Sequence, residues 1–163
     1  YRGTLAHVTK SDAELPNDGR LKLDQMFRSD PFAASLDAEV ITWGPGFATV
    51  SAFITERQTN FLGGGHGGIL FSLGDIAMSF AANGYGRKAL AVQIDIGYHR
   101  GVSQGEEVIA TASETSRTRR FANYRLELHV AEKLVGSATG ITFRTDDWHF
   151  GENLWPEEWR SRH

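Results

Sequence analysis

The chain has 163 residues, of which 40% are hydrophobic, with 17 Lys and Arg against 20 Asp and Glu for a formal charge of −3, and no Cys. That length holds one domain and buries enough surface to fold without disulfides or a structural metal, and the missing Cys excludes a cysteine nucleophile, thiolate zinc sites and iron–sulfur clusters. The slightly acidic balance gives no field to draw nucleic acid or an anionic membrane, and the most apolar stretch, Ile69 to Ala82, is broken by Asp75 and too short to span a bilayer.

In chain order, Tyr1 to Gln25 are polar and turn-rich, carrying Pro16, Asn17, Asp18 and Gly19, and read as a loosely held arm. Ser29 and Asp30 ahead of Pro31 predict a short helix reaching Leu36. Val40 to Trp43 and Phe47 to Thr55 read as a hairpin turned at Gly44, Pro45 and Gly46. A glycine run, Gly63, Gly64, Gly65, Gly67 and Gly68 around His66, then opens a helix of about five turns. It is apolar round most of its circumference and stops at Asn83 and Gly84. Leu90 to His99, Glu107 to Thr118, Phe121 to Val130 and Leu134 to Arg144 are rich in Val, Ile, Thr and aromatics and predict four long strands. Strands and helices do not alternate as a doubly wound parallel sheet requires. The order predicts an α+β chain, an antiparallel sheet wrapped around one long central helix. The expected divisions are an arm over 1–25, one domain over 26–145 and a tail over 146–163. In the tail, Trp148, Trp155 and Trp159 form an apolar strap that packs on the domain or on a second copy. The cytoplasm is the default location.

Between Arg57 and Arg87 the only formally charged residue is Asp75, in the middle of the apolar helix. An unpaired carboxylate in a low-dielectric interior is costly. At helical spacing its neighbours are Ser72, Met78 and Ser79, with Asn83 continuing the line, so the helix carries one narrow polar stripe. A structural carboxylate satisfied by the serines or by a strand Arg is the plainer alternative. The glycines let backbone approach a ligand closely, and the helix behind them turns unpaired N–H groups and its positive end toward it. Such a place stabilises an oxyanion or binds phosphate. No Lys-Ser/Thr follows the glycines, which excludes a P-loop, and the strand–helix–strand context of a dinucleotide fingerprint is missing. His66 has no second His or Cys at metal spacing and reads as holding the loop. Asn60 offers an amide for a carbonyl or a water, or else caps a turn.

The run Asn60-Phe-Leu-Gly63-Gly-Gly-His66-Gly67-Gly68, with Asp75 nine residues after the His, resembles the signature of hot-dog-fold acyl-CoA thioesterases of the phenylacetic-acid-degradation type. The resemblance implies the hot-dog fold over roughly Phe32 to Arg144 and hydrolysis of an acyl-CoA thioester to free acid and CoA. It gives Gly67 the backbone N–H that polarises the thioester carbonyl and Asp75 the part of nucleophile or general base. Asn60 then positions the carbonyl or the attacking water, and His66 shapes the loop. Gly65, Gly68, Phe71 and Ser72 are candidate substrate contacts beside them, and Phe61, Leu70, Phe71 and Met78 are candidates to line the acyl pocket. Arg100, Arg117, Arg119 and Arg120 are candidate contacts to CoA phosphates because guanidinium forks match phosphate oxygens, with solvated strand ends as the alternative. No cofactor or metal is required. In one respect the sequence departs from the pattern: many relatives place Ser or Thr early in the strand after the helix, where this chain has Ala91, Val92 and Gln93, and Gln93 is the polar replacement.

Spacing adds an expectation independent of the family. Eight residues of helix separate Gly67 from Asp75 by about 12 Å, whereas a reacting carbonyl needs both groups within about 3 Å. One helix cannot supply both. The oxyanion donor is therefore expected from one chain and Asp75 from a second copy lying antiparallel across a two-fold axis. The resemblance likewise implies a site at a dimer interface, in a dimer or a dimer of dimers. A non-catalytic acyl-CoA-binding or sensing protein on the same fold is the competing reading. A hot-dog dehydratase or hydratase is disfavoured, because the His and carboxylate those enzymes use for proton transfer have no counterpart signature here.

Overall fold

A computed structural model describes residues 15–163. Residues 1–14 of the expected arm lie outside the described residues. The rest of that arm is not loose: α1 (Asn17–Arg28) occupies it, followed by α2 (Pro31–Ser35). The Pro16 to Gly19 cluster that reads as a turn is a helix start, with Pro16 at the N-cap and Asp18 in the first turn facing the positive dipole end. Leu23 and Phe27, four residues apart on one face, are buried. Phe27 stacks on Phe80 at 4.6 Å between ring centroids and meets Trp43 edge-on at 4.9 Å. In α2 the expected cap is Asp30, whose carboxylate accepts from the Ala33 N–H at 2.7 Å.

Six strands follow around one long helix: β1 (Glu39–Gly44), β2 (Phe47–Phe53), α3 (Gly67–Asn83), β3 (Arg87–Tyr98), β4 (Glu107–Arg117), β5 (Phe121–Val130) and β6 (Lys133–Trp148). Every pairing is antiparallel, in the order β1-β2-β4-β5-β6-β3, and α3 touches all six strands. This is the hot-dog fold. The sheet can wrap the helix closely because its inner face alternates small residues with larger ones such as Val50, Val108, Leu126 and Leu128. Ala48, Ala52, Ala110, Ala112, Ala122 and Ala138 are all buried there, and a Cβ added at Gly140 would collide with the Met78 sulfur. Leu70 and Met78, expected at an acyl pocket, are instead core residues beneath the sheet, 2% and 0% exposed. Apolar spacing marks a buried helix face without saying what buries it.

β3 and β6 are both longer than expected: β3 starts at Arg87, and β6 runs to Trp148, pairing Arg87 with Trp148. The polar pair Asp146 and Asp147 reads as the end of a strand, yet Asp146 holds Arg87 at 3.0 Å and Arg120 at 2.8 Å, which keeps the chain in register. The remaining tail crosses the end of the domain and finishes in α4 (Glu157–Arg162). Trp155, 2% exposed, is wedged between Gly19 of α1 and Gly86, a turn residue at φ +84°, and a side chain at Gly86 would collide with the indole. Its Nε1–H donates to His149 O at 2.8 Å, and that of Trp159 donates to Tyr85 O at 2.9 Å. Trp155→Ala removes this wedge from beneath both α1 and the α3–β3 turn and is expected to cost about 3–5 kcal/mol. Urea unfolding monitored by circular dichroism measures it, and a loss below about 1 kcal/mol would show the wedge to be dispensable.

The strap also sets an acid sensitivity. His149, whose Nε2 lies 2.8 Å from Asn83 Oδ1, is held by burial, reinforced by the Lys88 charge, at a pKa of about 4. His163 is lowered to about 4 by burial and by the charges of Arg117, Arg144 and Arg162. A folded-state pKa below the ordinary 6.5 means that folding favours the neutral rings. Their contribution is complete above pH 6.5 and is lost as pH falls through about 4. Denaturant midpoints are therefore expected to fall steadily between about pH 7 and about pH 4.5, and His149→Gln is expected to flatten that slope. A parent midpoint that does not change across the interval would contradict the assignment. Among the described residues, no helix is long and apolar enough to cross a membrane.

Candidate active site

The loop from Asn60 to His66 is tied down by backbone hydrogen bonds within it and to its neighbours. Asn60 N–H donates to Gly64 O at 2.7 Å, Gly65 N–H to Val102 O at 2.6 Å and His66 N–H to Gln58 O at 2.8 Å. The Asn60 side chain closes the turn as well. Its Oδ1 accepts from the N–H groups of Leu62 at 2.9 Å and Gly64 at 3.3 Å, while Nδ2 donates to Gly65 O through a longer contact of 3.4 Å. Within one chain, then, Asn60 is a turn cap.

His66 is the N-cap of α3, and its Nδ1 accepts from Gly68 N–H at 2.8 Å. A Cβ at Gly68 would sit 2.9 Å from that nitrogen, so the cap requires glycine there. Gly67 is the first helical residue, and its N–H has no carbonyl one turn back within the helix. The Gly67 amide is thus left at the dipole's positive end, beside the amide that His66 engages.

Asp75 lies in the middle of α3, half-buried, between Gly67 and the helix end. Its Oδ1 is fully buried and has no hydrogen-bond partner among the described residues. Neither predicted structural partner reaches it. Ser72 donates backward to Gly68 O at 2.8 Å, and the strand arginines are engaged elsewhere. Burial alone raises the Asp75 carboxyl above the usual carboxylate range.

The polar stripe of α3 faces the rim of the sheet, alongside β3. The N-terminal end of the helix meets the far end of β3, where Tyr98 Oη donates to Gly67 O at 2.9 Å. At the other end, Asn83 exchanges two hydrogen bonds of 3.0 Å with the backbone of Ala89. Among the described residues β3 is an edge strand paired only with β6, and it leaves Leu90, Val92 and Tyr98 more than half exposed. Gln93 is exposed on the same strand. Phe61 and Leu62 of the glycine loop are 96% and 80% exposed, and Phe71 is partly so.

Three of the four candidate arginines gather beyond the other end of α3 from Gly67. Arg117 lies over the Tyr85 ring just beyond the C-terminal end of α3 and pairs with Glu114 at 3.5 Å, while Arg119 and Arg120 pair with Asp146 at 3.8 and 2.8 Å. Arg100 is exposed after β3. The structure therefore brings Asn60, Gly65, His66, Gly67, Gly68 and Ser72 together at one end of α3. Asp75 is two turns along, Phe71 lies between, and Arg117, Arg119 and Arg120 are at the far end. Tyr98 is the site residue that sequence reading misses. It closes an alternating strand, and its contact with Gly67 spans 31 residues, so no local spacing marks it.

The sequence profile of the thioesterase superfamily matches residues 62–137. The acyl-coenzyme A thioesterase PaaI of Escherichia coli K12 is 32% identical over 120 residues, which are 73% of this chain and 86% of that protein. Its structure, from the phenylacetic acid degradation operon, superposes with a TM-score of 0.75 at 29% identity, covering 80% of this chain and 96% of that one. The phenylacetic acid degradation protein PaaI from Thermus thermophilus, solved as a point mutant, gives a TM-score of 0.69 at 36% identity, covering 71% of this chain and 100% of that one. With a capped glycine loop at the head of the central helix, a hot-dog sheet around it and these relatives, the chain belongs to the thioesterase superfamily as a thioester hydrolase of the PaaI type.

Proposed function

We propose that this chain hydrolyses an acyl-CoA thioester to the free acid and CoA, at two equivalent sites formed between two copies. The observation that carries the reading is the Asp75 carboxylate, sunk in an apolar helix on its narrow polar stripe, with a buried oxygen that has no hydrogen-bond partner among the described residues. Burial without a counter-charge makes a carboxylate a stronger base and a less solvated nucleophile once ionised, at a cost in stability that a purely structural residue would not warrant.

The Gly67 N–H and the positive end of α3 supply the other half, by donating to the thioester oxygen as negative charge develops on it. Because Gly67 and Asp75 are two turns apart on a rigid helix, about 12 Å, each site takes Gly67 from one chain and Asp75 from the other. The rim beside β3 supports this pairing. A twelve-residue edge strand with exposed Leu90, Val92 and Tyr98, next to the exposed Phe61 and Leu62, is the kind of apolar edge that a second copy covers.

In this arrangement Asn60 turns its weakly held Nδ2 toward the carbonyl or the attacking water, and Phe61 and Phe71 line the acyl group. Either Asp75 attacks the carbonyl carbon, releasing the CoA thiolate and leaving a mixed anhydride that water cleaves, or it takes a proton from water as that water attacks. Hydrolysis in ¹⁸O-water under single turnover separates the two, since only the first places label in the Asp75 carboxylate. In the antiparallel pair the arginine end of one chain approaches the glycine loop of the other. Exposed ion pairs such as Arg119 with Asp146 contribute little, so Arg119 and Arg120 can exchange that carboxylate for the phosphates of CoA.

A panel of acyl-CoA thioesters assayed for free thiol release tests the reading. Release from at least one member is expected, and tight binding of the intact thioesters without release would establish the non-catalytic alternative.

A further inference from the structure

The hydrolytic scheme leaves Tyr98 without a task, and its geometry is specific. From the end of β3 its hydroxyl donates to Gly67 O at 2.9 Å, and its ring occupies the space beside Gly67, with Cζ 3.1 Å from where a Cβ would lie. On the other side of the same peptide unit, the Gly68 N–H donates to His66 Nδ1 at 2.8 Å. The Gly67–Gly68 peptide is therefore held at its oxygen by a strand and at its nitrogen by the N-cap.

A peptide unit is planar, so fixing both of its polar atoms fixes the plane. What separates that plane from the preceding His66–Gly67 N–H is rotation about the two backbone torsions of Gly67, the residue type with the widest freedom there. The glycine that lets the Tyr98 ring approach this closely thus also loosens the amide that must point at the substrate. The Tyr98 ring fills the place of the missing side chain, and its hydroxyl anchors the carbonyl.

We propose that Tyr98 is a positioning residue that orients the Gly67 N–H toward the developing oxyanion, acting through the Gly67–Gly68 peptide and not by touching substrate. The proposal rests on the reading of Gly67 as the oxyanion donor. An amide fixed before charge develops stabilises the transition state without reorganising, whereas a donor free to swing stabilises it less, and misplacement by fractions of an ångström is felt in kcat.

Tyr98→Phe keeps the ring and deletes the hydroxyl. With the best acyl-CoA of the panel, kcat is expected to fall about ten-fold while KM stays within about two-fold and the melting temperature holds. A second readout does not depend on turnover. The carbonyl stretch of that acyl-CoA, ¹³C-labelled and bound to Asp75→Asn, is expected at lower frequency than in water, and in Asp75→Asn/Tyr98→Phe it is expected to move part of the way back. An unchanged kcat with an unmoved stretch overturns the role of Tyr98 and leaves the hydrolase reading standing, provided that Asp75→Asn is inactive. A loss of kcat matched by a lower melting temperature, with the stretch unmoved, also overturns it, because the hydroxyl then serves packing alone. If the parent releases no thiol from any acyl-CoA, the functional reading fails, and the positioning role fails with it.

Discussion

Asp75→Asn is expected to abolish thioester hydrolysis, lowering kcat/KM by at least about 100-fold, the loss typical of removing a catalytic base, while the fold stays intact. The substitution is nearly isosteric, and it replaces a carboxylate whose buried oxygen has no partner among the described residues. Stability should move in the opposite direction from activity. Burial raises the Asp75 pKa in the folded state, so folding favours the protonated acid. The stabilisation that protonation provides is complete below the unfolded pKa and is lost as pH rises through the folded one. Above the folded pKa the ionised carboxylate is a burden that asparagine does not carry, so Asp75→Asn should melt no lower than the parent there. The same raised pKa sets the activity profile. The parent's kcat/KM should rise with pH through a midpoint above the ordinary carboxylate value as Asp75 ionises, and this limb should be absent from whatever activity the variant retains. Thiol release at a series of pH values, with thermal melts beside it, measures both. Near-parental turnover by Asp75→Asn would remove the residue from the mechanism.

Mixing two inactive chains should produce an active one. Gly67→Pro deletes the proposed oxyanion donor with little backbone cost, because proline is well suited to the first helical position and His66 before it is already extended at ψ 137°. The added ring atoms press on Tyr98, which must yield by a few tenths of an ångström. Asp75→Ala deletes the carboxylate. In a mixed pair, one site combines the intact Gly67 with the intact Asp75 and the other combines both lesions. Random reassortment of equal amounts therefore restores about a quarter of the parental sites. The two variants should be unfolded together in urea, refolded, and compared with each refolded alone. Activity no greater than the sum of the parents would place Gly67 and Asp75 in separate functions or within one chain, and the helix geometry already excludes the second.

The central architecture was legible because it rests on strong local periodicity. α3 is apolar over nearly every residue between a glycine loop and Asn83, and the four later strands alternate over about ten residues each. Gly67 at the head of that helix and Asp75 in its middle were legible on the same grounds, and the structure has them there. Local signals misled where they had two meanings. Pro16, Asn17 and Asp18 form a turn cluster by composition but a helix start by order, and Leu23, Met26 and Phe27 at spacings of three and four were the signal that could have decided it. Asp146 and Asp147 looked like a strand end because Arg87, which pairs with Asp146, lies 59 residues away. The ion pairs of Arg119 and Arg120 with Asp146 and the contact of Tyr98 with Gly67 were invisible for the same reason: they join segments that only the fold brings together.

The close seating of α3 against an alanine-lined sheet has a consequence for how substrate preference changes. With Leu70 and Met78 locked beneath the sheet and Gly140 allowing no side chain, the concave face is already full. In the proposed pairing of two copies an acyl group then lies in the seam between subunits, and each specificity pocket is jointly owned. One substitution alters two pockets at once. Its effect depends on the residues opposite it in the neighbouring copy, and assemblies of two different variants can acquire preferences that neither variant has with its own kind.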